Sequence, residues 1–312
     1  MSNSLLPAGA EVPFADIEAA LARGASGDGR GGPGRALTAT IVVIGPLVRL
    51  AAAADALEAL TTGVRTILIS CGDSVSPSVR VSERAVAIEG LRAEYLNNAV
   101  AALRLSSLPT LVWWRGGDSD TLEGLAGLAD RLVLDAADPV PVWARARALF
   151  EQTAVSDLRW TRLTRWRALM AHFFDIPEVR AARSGFRRLQ IHGSDPHMAR
   201  LFAGWLSSSL GWTAAAGPGT AEKMSIELLR DAEDGAPISI VRLGEGEEEL
   251  SLSLASSGTC VETSMRVQGH TEASRIVSLG NQGLASLIGE ELRIRSRDPA
   301  FERALAAAGG IV

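Results

Sequence analysis

Leu37-Thr38-Ala39-Thr40-Ile41-Val42-Val43-Ile44 is a β-branched, apolar run of strand length, and Val64 to Ser70 repeats the pattern after the intervening helix candidate Ala51 to Leu60. Continuous apolar strands alternating with helices mark a parallel sheet covered on both faces. The alternation continues outward from these two strands. Ala85 to Ile88 reads as a third strand, Arg92 to Leu105 as a helix, Leu108 to Arg115 as a buried strand, Thr121 to Asp130 as a helix and Leu132 to Leu134 as a short closing strand. Residues 36–140 are therefore expected to form a doubly wound, mostly parallel α/β domain. Before them, residues 1–35 hold a short helix over 13–23 and a flexible linker, Gly24 to Gly34, with six glycines and one proline.

Asp138-Pro139 and Pro141 break the pattern, and residues 141–312 read as a helical connector followed by a mixed or antiparallel α+β domain. Helices are expected over 141–152 and 157–173, with Ser156 or Asp157 as N-cap of the second. Phe186 to His192 is a strand candidate, Gly193-Ser194-Asp195-Pro196 opens a helix reaching Leu210, and strands follow at Lys223–Leu229, Pro237–Leu243, Leu250–Leu254 and Cys260–Val267. Asp234-Gly235 and Ser257-Gly258 stand between them as hairpin signals. Helices near 282–292 and 299–308 finish the chain.

Composition narrows the function. Of 312 residues, 47% are hydrophobic, and the mean hydropathy is +0.15. The apolar runs are too short for a bilayer, and Met1-Ser2-Asn3-Ser4 lacks the basic stretch of a signal peptide, so a cytoplasmic protein is expected. A formal charge of -5 argues against a nucleic-acid binder. The first strand ends at Ile44-Gly45-Pro46, with one glycine where a dinucleotide fingerprint needs three and a proline where a phosphate would need an N–H donor. The domain is Rossmann-like without that fingerprint, and no P-loop, nucleophile elbow or metal-spaced set among His172, His192, His197 and His270 is present. Glu245, Glu247, Glu248 and Glu249 read as a solvated turn. No catalytic residues, cofactor or metal are expected.

Two tryptophan-bearing stretches remain. Ser156 to Arg167 packs two tryptophans and four arginines into twelve residues. Leu158, Leu163, Trp166, Leu169 and Met170 recur at helical spacing, while Trp160 and the arginines fall partly outside that stripe. Such a helix is either a core helix with solvated arginines or a binding surface, since Trp and Arg are enriched at hot spots. In the strand Leu108 to Arg115, Trp113 and Trp114 must face opposite layers. They either fill two cores or help to hold the 157–173 helix, with Asp130, Arg131 and Asp135 completing a surface through ion pairs to Arg162 or Arg167.

Both stretches resemble a known family. Asp157-Leu158, Trp160-Thr161-Arg162, Leu163-Thr164 and Trp166-Arg167-Ala168-Leu169 look like its D-L-x-W-T-R-L-T-x-W-R-x-L signature, and Leu108-Pro109-Thr110-Leu111-Val112-Trp113-Trp114-Arg115-Gly116 resembles its L-P-x-x-x-W-W-x-G. Leu128-Ala129-Asp130-Arg131-Leu132-Val133-Leu134-Asp135-Ala136 is similar to a third block, L-A-x-R-x-x-D-A. The family is OpcA, and the similarity runs loosely from about residue 11 to the C-terminus. The resemblance implies a non-catalytic assembly factor that binds glucose-6-phosphate dehydrogenase, promotes its active oligomer and supports NADPH supply through the oxidative pentose phosphate pathway. Trp113, Trp114, Arg115, Asp130, Arg131, Asp135, Trp160, Thr161, Arg162, Trp166 and Arg167 are its candidate partner-binding residues here. The thioredoxin-linked control associated with cyanobacterial relatives lacks a close cysteine pair to act on, since Cys71 and Cys260 are the only cysteines. Two other classes stay open: a sugar-phosphate- or nucleotide-binding enzyme using the crevice at the C-terminal end of the 108–115 strand, and a purely structural component without effect on its partner's kinetics.

Overall fold

The structure, a computed structural model, describes residues 9–20, 37–60, 63–73, 77–82, 85–212, 225–267 and 270–311. The expected linker 24–34, the end of the helix over 13–23 and Lys223 lie outside the described residues. The chain falls into two units, residues 1–158 with 283–298, and residues 159–282 with 299–312. Whereas the composition break suggests a boundary at 140, the first unit runs on through Leu158 and takes in one later excursion.

The first unit is built on an eight-stranded sheet. Its strands are β1 (Ala10–Glu11), β2 (Ala39–Ile44), β3 (Val64–Cys71), β4 (Ser78–Val81), β5 (Ala85–Leu91), β6 (Thr110–Trp114), β7 (Arg131–Leu134) and β8 (Ala154–Asp157), in the order β1-β4-β5-β3-β2-β6-β7-β8. From β5 to β8 all neighbours are parallel, and β4 and β1 add an antiparallel edge. Every residue of β2 is buried, as a central strand covered on both faces requires. Ile41, Val43, Leu68 and Trp113 pack on Leu50, Ala53 and Leu57 of helix Leu47–Glu58 and on Leu287 and Ile288 of helix Leu284–Glu291. The doubly wound, mostly parallel sheet is thus as expected, with three more strands than the sequence suggests.

Ser156 and Asp157, read as N-cap candidates, close β8 and are buried. Asp157 accepts a hydrogen bond from Trp143 Nε1 at 2.8 Å, and Ser156 Oγ donates to Glu291 at 3.0 Å. Partners supplied by other elements let two polar residues sit inside a sheet. The single helix expected over 157–173 is two, Leu158–Arg162 and Thr164–Phe173, with Leu163 between them.

The second unit carries β9 (Arg188–Gly193), β10 (Ser225–Arg230), β11 (Ile240–Glu245), β12 (Glu248–Leu254), β13 (Cys260–Val267) and β14 (His270–Ser278), in the order β10-β9-β11-β12-β13-β14. β10 runs parallel to β9 and all other pairs are antiparallel, so the sheet is mixed. Ser257-Gly258 lies between the paired strands β12 and β13 as expected, but Asp234-Gly235 is not a hairpin. β9 lies between β10 and β11, and the chain crosses its end, where Ser194 N–H donates to the Ala236 carbonyl and Ser239 N–H to the His192 carbonyl. At the edge, hydrogen bonds from Gln190 and then Arg188 hold the Glu227 carboxyl below its usual range.

Helix Pro196–Leu210 begins at Asp195, whose carboxylate accepts from the His197 and Met198 N–H groups, and packs on helix Pro299–Ala308. The two helices meet at Gly204, where a Cβ would stand 2.8 Å from the Ala308 nitrogen and closer still to the Ala304 carbonyl oxygen. Both obstacles are backbone and cannot rotate away. Gly204→Ala is expected to destabilise the second unit by about 1–3 kcal/mol through overpacking, measured by urea denaturation; unchanged stability would mean that this helix pair separates freely.

Candidate functional site

The order β5-β3-β2-β6-β7-β8 has the chain step outward on one side of β2 and then on the other. The direction reverses between β2 and β6, and open α/β sheets bind ligands outside the strand ends at such a point. A crevice of about 490 Å³ opens there, lined among others by Pro46, Arg49, Trp114, Arg115, Gly117 and Asp138. Its size is that of a small-molecule site.

The floor is cross-braced. Arg115 Nε donates to Asp135 Oδ2 at 2.8 Å, Arg115 Nη1 to the Arg49 carbonyl at 2.5 Å, and Arg49 Nη1 to the Arg115 carbonyl at 3.1 Å. Arg49 Nη2 lies 3.3 Å from the same Asp135 oxygen. The Arg115 guanidinium also lies over the Trp113 ring, 4.6 Å from its centroid, and is almost wholly buried. Two guanidinium cations share one carboxylate, leaving the brace with one net positive charge. Gly116 and Gly117, with φ of 147° and 132°, occupy backbone conformations that a side chain disfavours. Cys71 lines the same crevice, its thiol pushed up by burial and by the negative charge of Asp118.

Trp113 and Trp114 face opposite layers, as the strand geometry demands. Trp113 belongs to the core beneath the two helices, and Trp114 walls the crevice. Within the first unit Asp135 pairs with Arg115 and Arg49. Asp130 accepts from the Thr110 N–H at 2.8 Å. Arg131 Nε donates to Glu291 at 2.5 Å and Nη1 to the Ser296 carbonyl at 3.2 Å, both in the 283–298 excursion.

In the second unit the Trp/Arg stretch is chiefly interior. Trp160, Thr161, Leu163, Trp166 and Met170 are buried. Trp160 lies 5.6 Å from the Phe301 ring, and the Arg167 guanidinium covers it at 3.4 Å, with Nη2 donating to the Trp160 carbonyl and to Thr164 Oγ1. Trp160 lies outside the apolar stripe and is buried there because Phe301 and the Arg167 guanidinium cover its ring. Arg159 pairs with Asp195 at 3.0 Å. Thr164 and Arg165 are exposed, and Arg162 and Arg167 are half-buried.

Among the described residues no three His, Cys, Asp or Glu side chains form a metal-sized group, and no helix is long and apolar enough to cross a membrane. The residues that sequence reasoning missed are Arg49 and Glu291. Arg49 sits in an alanine-rich helix and Glu291 in a charged C-terminal stretch, and neither carries a local signal.

Similarity to known proteins covers the second unit most fully. Residues 153–305 match the family described as the C-terminal domain of a glucose-6-phosphate dehydrogenase subunit. A protein from Nostoc punctiforme described as OxPP cycle protein OpcA is 26% identical over 70% of this chain and 54% of its own length. Its namesake in Synechococcus elongatus is 32% identical over 41% of this chain and 31% of its own, and that of Synechocystis sp. 24% identical over 68% and 52%. This chain thus spans about half the length of those relatives or less. Among solved structures, an oxidoreductase from Sinorhizobium meliloti covers 88% of this chain and 95% of its own with a TM-score of 0.48 and 10% identity, a likeness too distant to carry chemistry. Residues 153–305 thus carry the domain of that family, and the chain is similar to the OpcA proteins of three cyanobacteria.

Proposed function

We propose that the chain is a non-catalytic assembly factor and activator that binds glucose-6-phosphate dehydrogenase in the cytoplasm, promotes its active oligomer and so supports the oxidative pentose phosphate pathway. The observation that carries this reading is the match of residues 153–305 to a domain described as belonging to a subunit of that enzyme. The relatives' description as OxPP cycle proteins points the same way. The buried Trp160–Trp166 core gives the partner a rigid scaffold, on which Arg162 and Arg165 supply the accessible charge. Arginine suits this position because its planar fork makes bidentate bonds to carboxylates.

The test is to titrate the dehydrogenase of the same organism with the purified chain and follow both its rate and its sedimentation. A saturable rise in rate with a shift to a larger species is expected, and the chain alone should show no dehydrogenase activity. Arg162→Ala with Arg165→Ala should weaken the apparent affinity by about tenfold, the size of a moderate hot spot. Co-sedimentation without a change in rate would leave a purely structural role; neither effect would refute the proposal.

A further inference from the structure

The crevice between β2 and β6 holds a donor that the fold leaves unused. Trp114 is 2% exposed, and its Nε1 has no hydrogen-bond partner among the described residues. An unpaired N–H of this kind costs stability, yet a phenylalanine would fill the same wall without it. The N–H lies beside Gly117, another lining residue, on which a Cβ would stand 4.0 Å from it.

Charge orders the remainder of the site. Arg49 lines the crevice with a quarter of its side chain still accessible, as part of the brace with net positive charge. Pro46, another lining residue, caps the N-terminus of helix Leu47–Glu58, so the positive end of that helix dipole meets the crevice. Ser119 and Asp138 line the crevice as well, and Asp138 is exposed. Both accept from hydroxyl groups, and the Asp138 carboxylate repels an anion from its own side. Pro46 also packs on Gly116, where a Cβ would meet its ring carbon at 3.2 Å, and it offers no N–H to a pyrophosphate. The walls of Pro46, Ala136, Ala137, Pro141 and Val142 are apolar.

We propose that this crevice binds a small polyhydroxylated oxyanion, a sugar-like metabolite carrying one phosphate or carboxylate, with the oxyanion against Arg49 and Trp114 Nε1 and the hydroxyls toward Ser119 and Asp138. The proposal is independent of the dehydrogenase reading, since it concerns the chain by itself.

The experiment is thermal unfolding and calorimetric titration of the full chain with glucose 6-phosphate, gluconate, glucose and inorganic phosphate. A saturable rise in Tm is expected with glucose 6-phosphate or gluconate, and their ratio tells phosphate from carboxylate. Glucose and inorganic phosphate should bind at least about tenfold more weakly, because each lacks half of the recognised groups. Ala137→Trp, which fills the crevice from an exposed position, should abolish the response. Arg49→Met should weaken it about tenfold, and Trp114→Phe several-fold without lowering the Tm of the free chain. No response to either oxyanion, an equal response to glucose or to inorganic phosphate, or a response that survives Ala137→Trp would each overturn the proposal.

Discussion

Glu291→Ala is expected to destabilise the first unit by about 3–5 kcal/mol, because it strips a buried cation of its counter-charge. Glu291 is 1% exposed and Arg131 4%. The carboxylate accepts from Arg131 Nε through one oxygen and from Ser156 Oγ through the other. Removing it leaves a guanidinium and a hydroxyl inside the sheet with fewer partners, and water cannot reach them without opening the packing around β7 and β8. For a unit of this size the Tm should fall by on the order of 10 °C. The pair itself need not be stabilising, since desolvation of both charges offsets their attraction. Arg131→Met combined with Glu291→Leu should therefore recover most of the loss. A single substitution costing less than about 1 kcal/mol would mean that Arg131 reaches solvent readily, and the 283–298 excursion would then hold by its apolar contacts alone.

What the sequence made legible, and what it hid, follows from where each residue finds its partner. β2, β3 and β6 were readable because a strand buried on both faces needs apolar residues at every position, and Ile41 to Ile44 or Leu111 to Trp114 can hardly be anything else. β8 was not readable. Ser156-Asp157 reads as a helix cap, and these two are buried because Glu291, 135 residues from Ser156, and Trp143 arrive beside them. β14 was missed for a different reason: His270–Ser278 pairs with β13 alone at the sheet edge, where a polar sequence costs little. The site divided in the same way. Trp113-Trp114-Arg115 at the end of a parallel strand pointed to the crevice, because sheet geometry alone sets which way each ring faces. Arg49 and the shared Asp135 brace became visible only in three dimensions. The helical stripe left Trp160 outside, and the ring is buried there because Phe301, far along the chain, and Arg167 cover it.

That burial bears on what the Trp/Arg stretch is for. Trp160→Ala should cost the second unit about 3–5 kcal/mol, the usual range for deleting a buried aromatic. Its ring is 3% exposed, contacts Phe301 and carries the Arg167 guanidinium on its other side. Truncation opens a cavity and releases Arg167 from the face that holds it. Urea unfolding should show the midpoint fall while the first unit keeps its own transition, and Trp160→Phe, which keeps most of the packing, should restore much of the loss. Partner activation then separates two roles for the stretch. If the tryptophans act by building the second unit, Trp160→Phe activates the dehydrogenase nearly as the parent does, and the loss falls on the accessible Arg162 and Arg165. If Trp160→Phe is as stable as the parent yet fails to activate, the indole itself meets the partner and the second unit must open to present it. The burial of Trp160, Thr161 and Trp166 favours the first outcome: residues so enclosed specify the shape of a surface, and their exposed neighbours make its contacts.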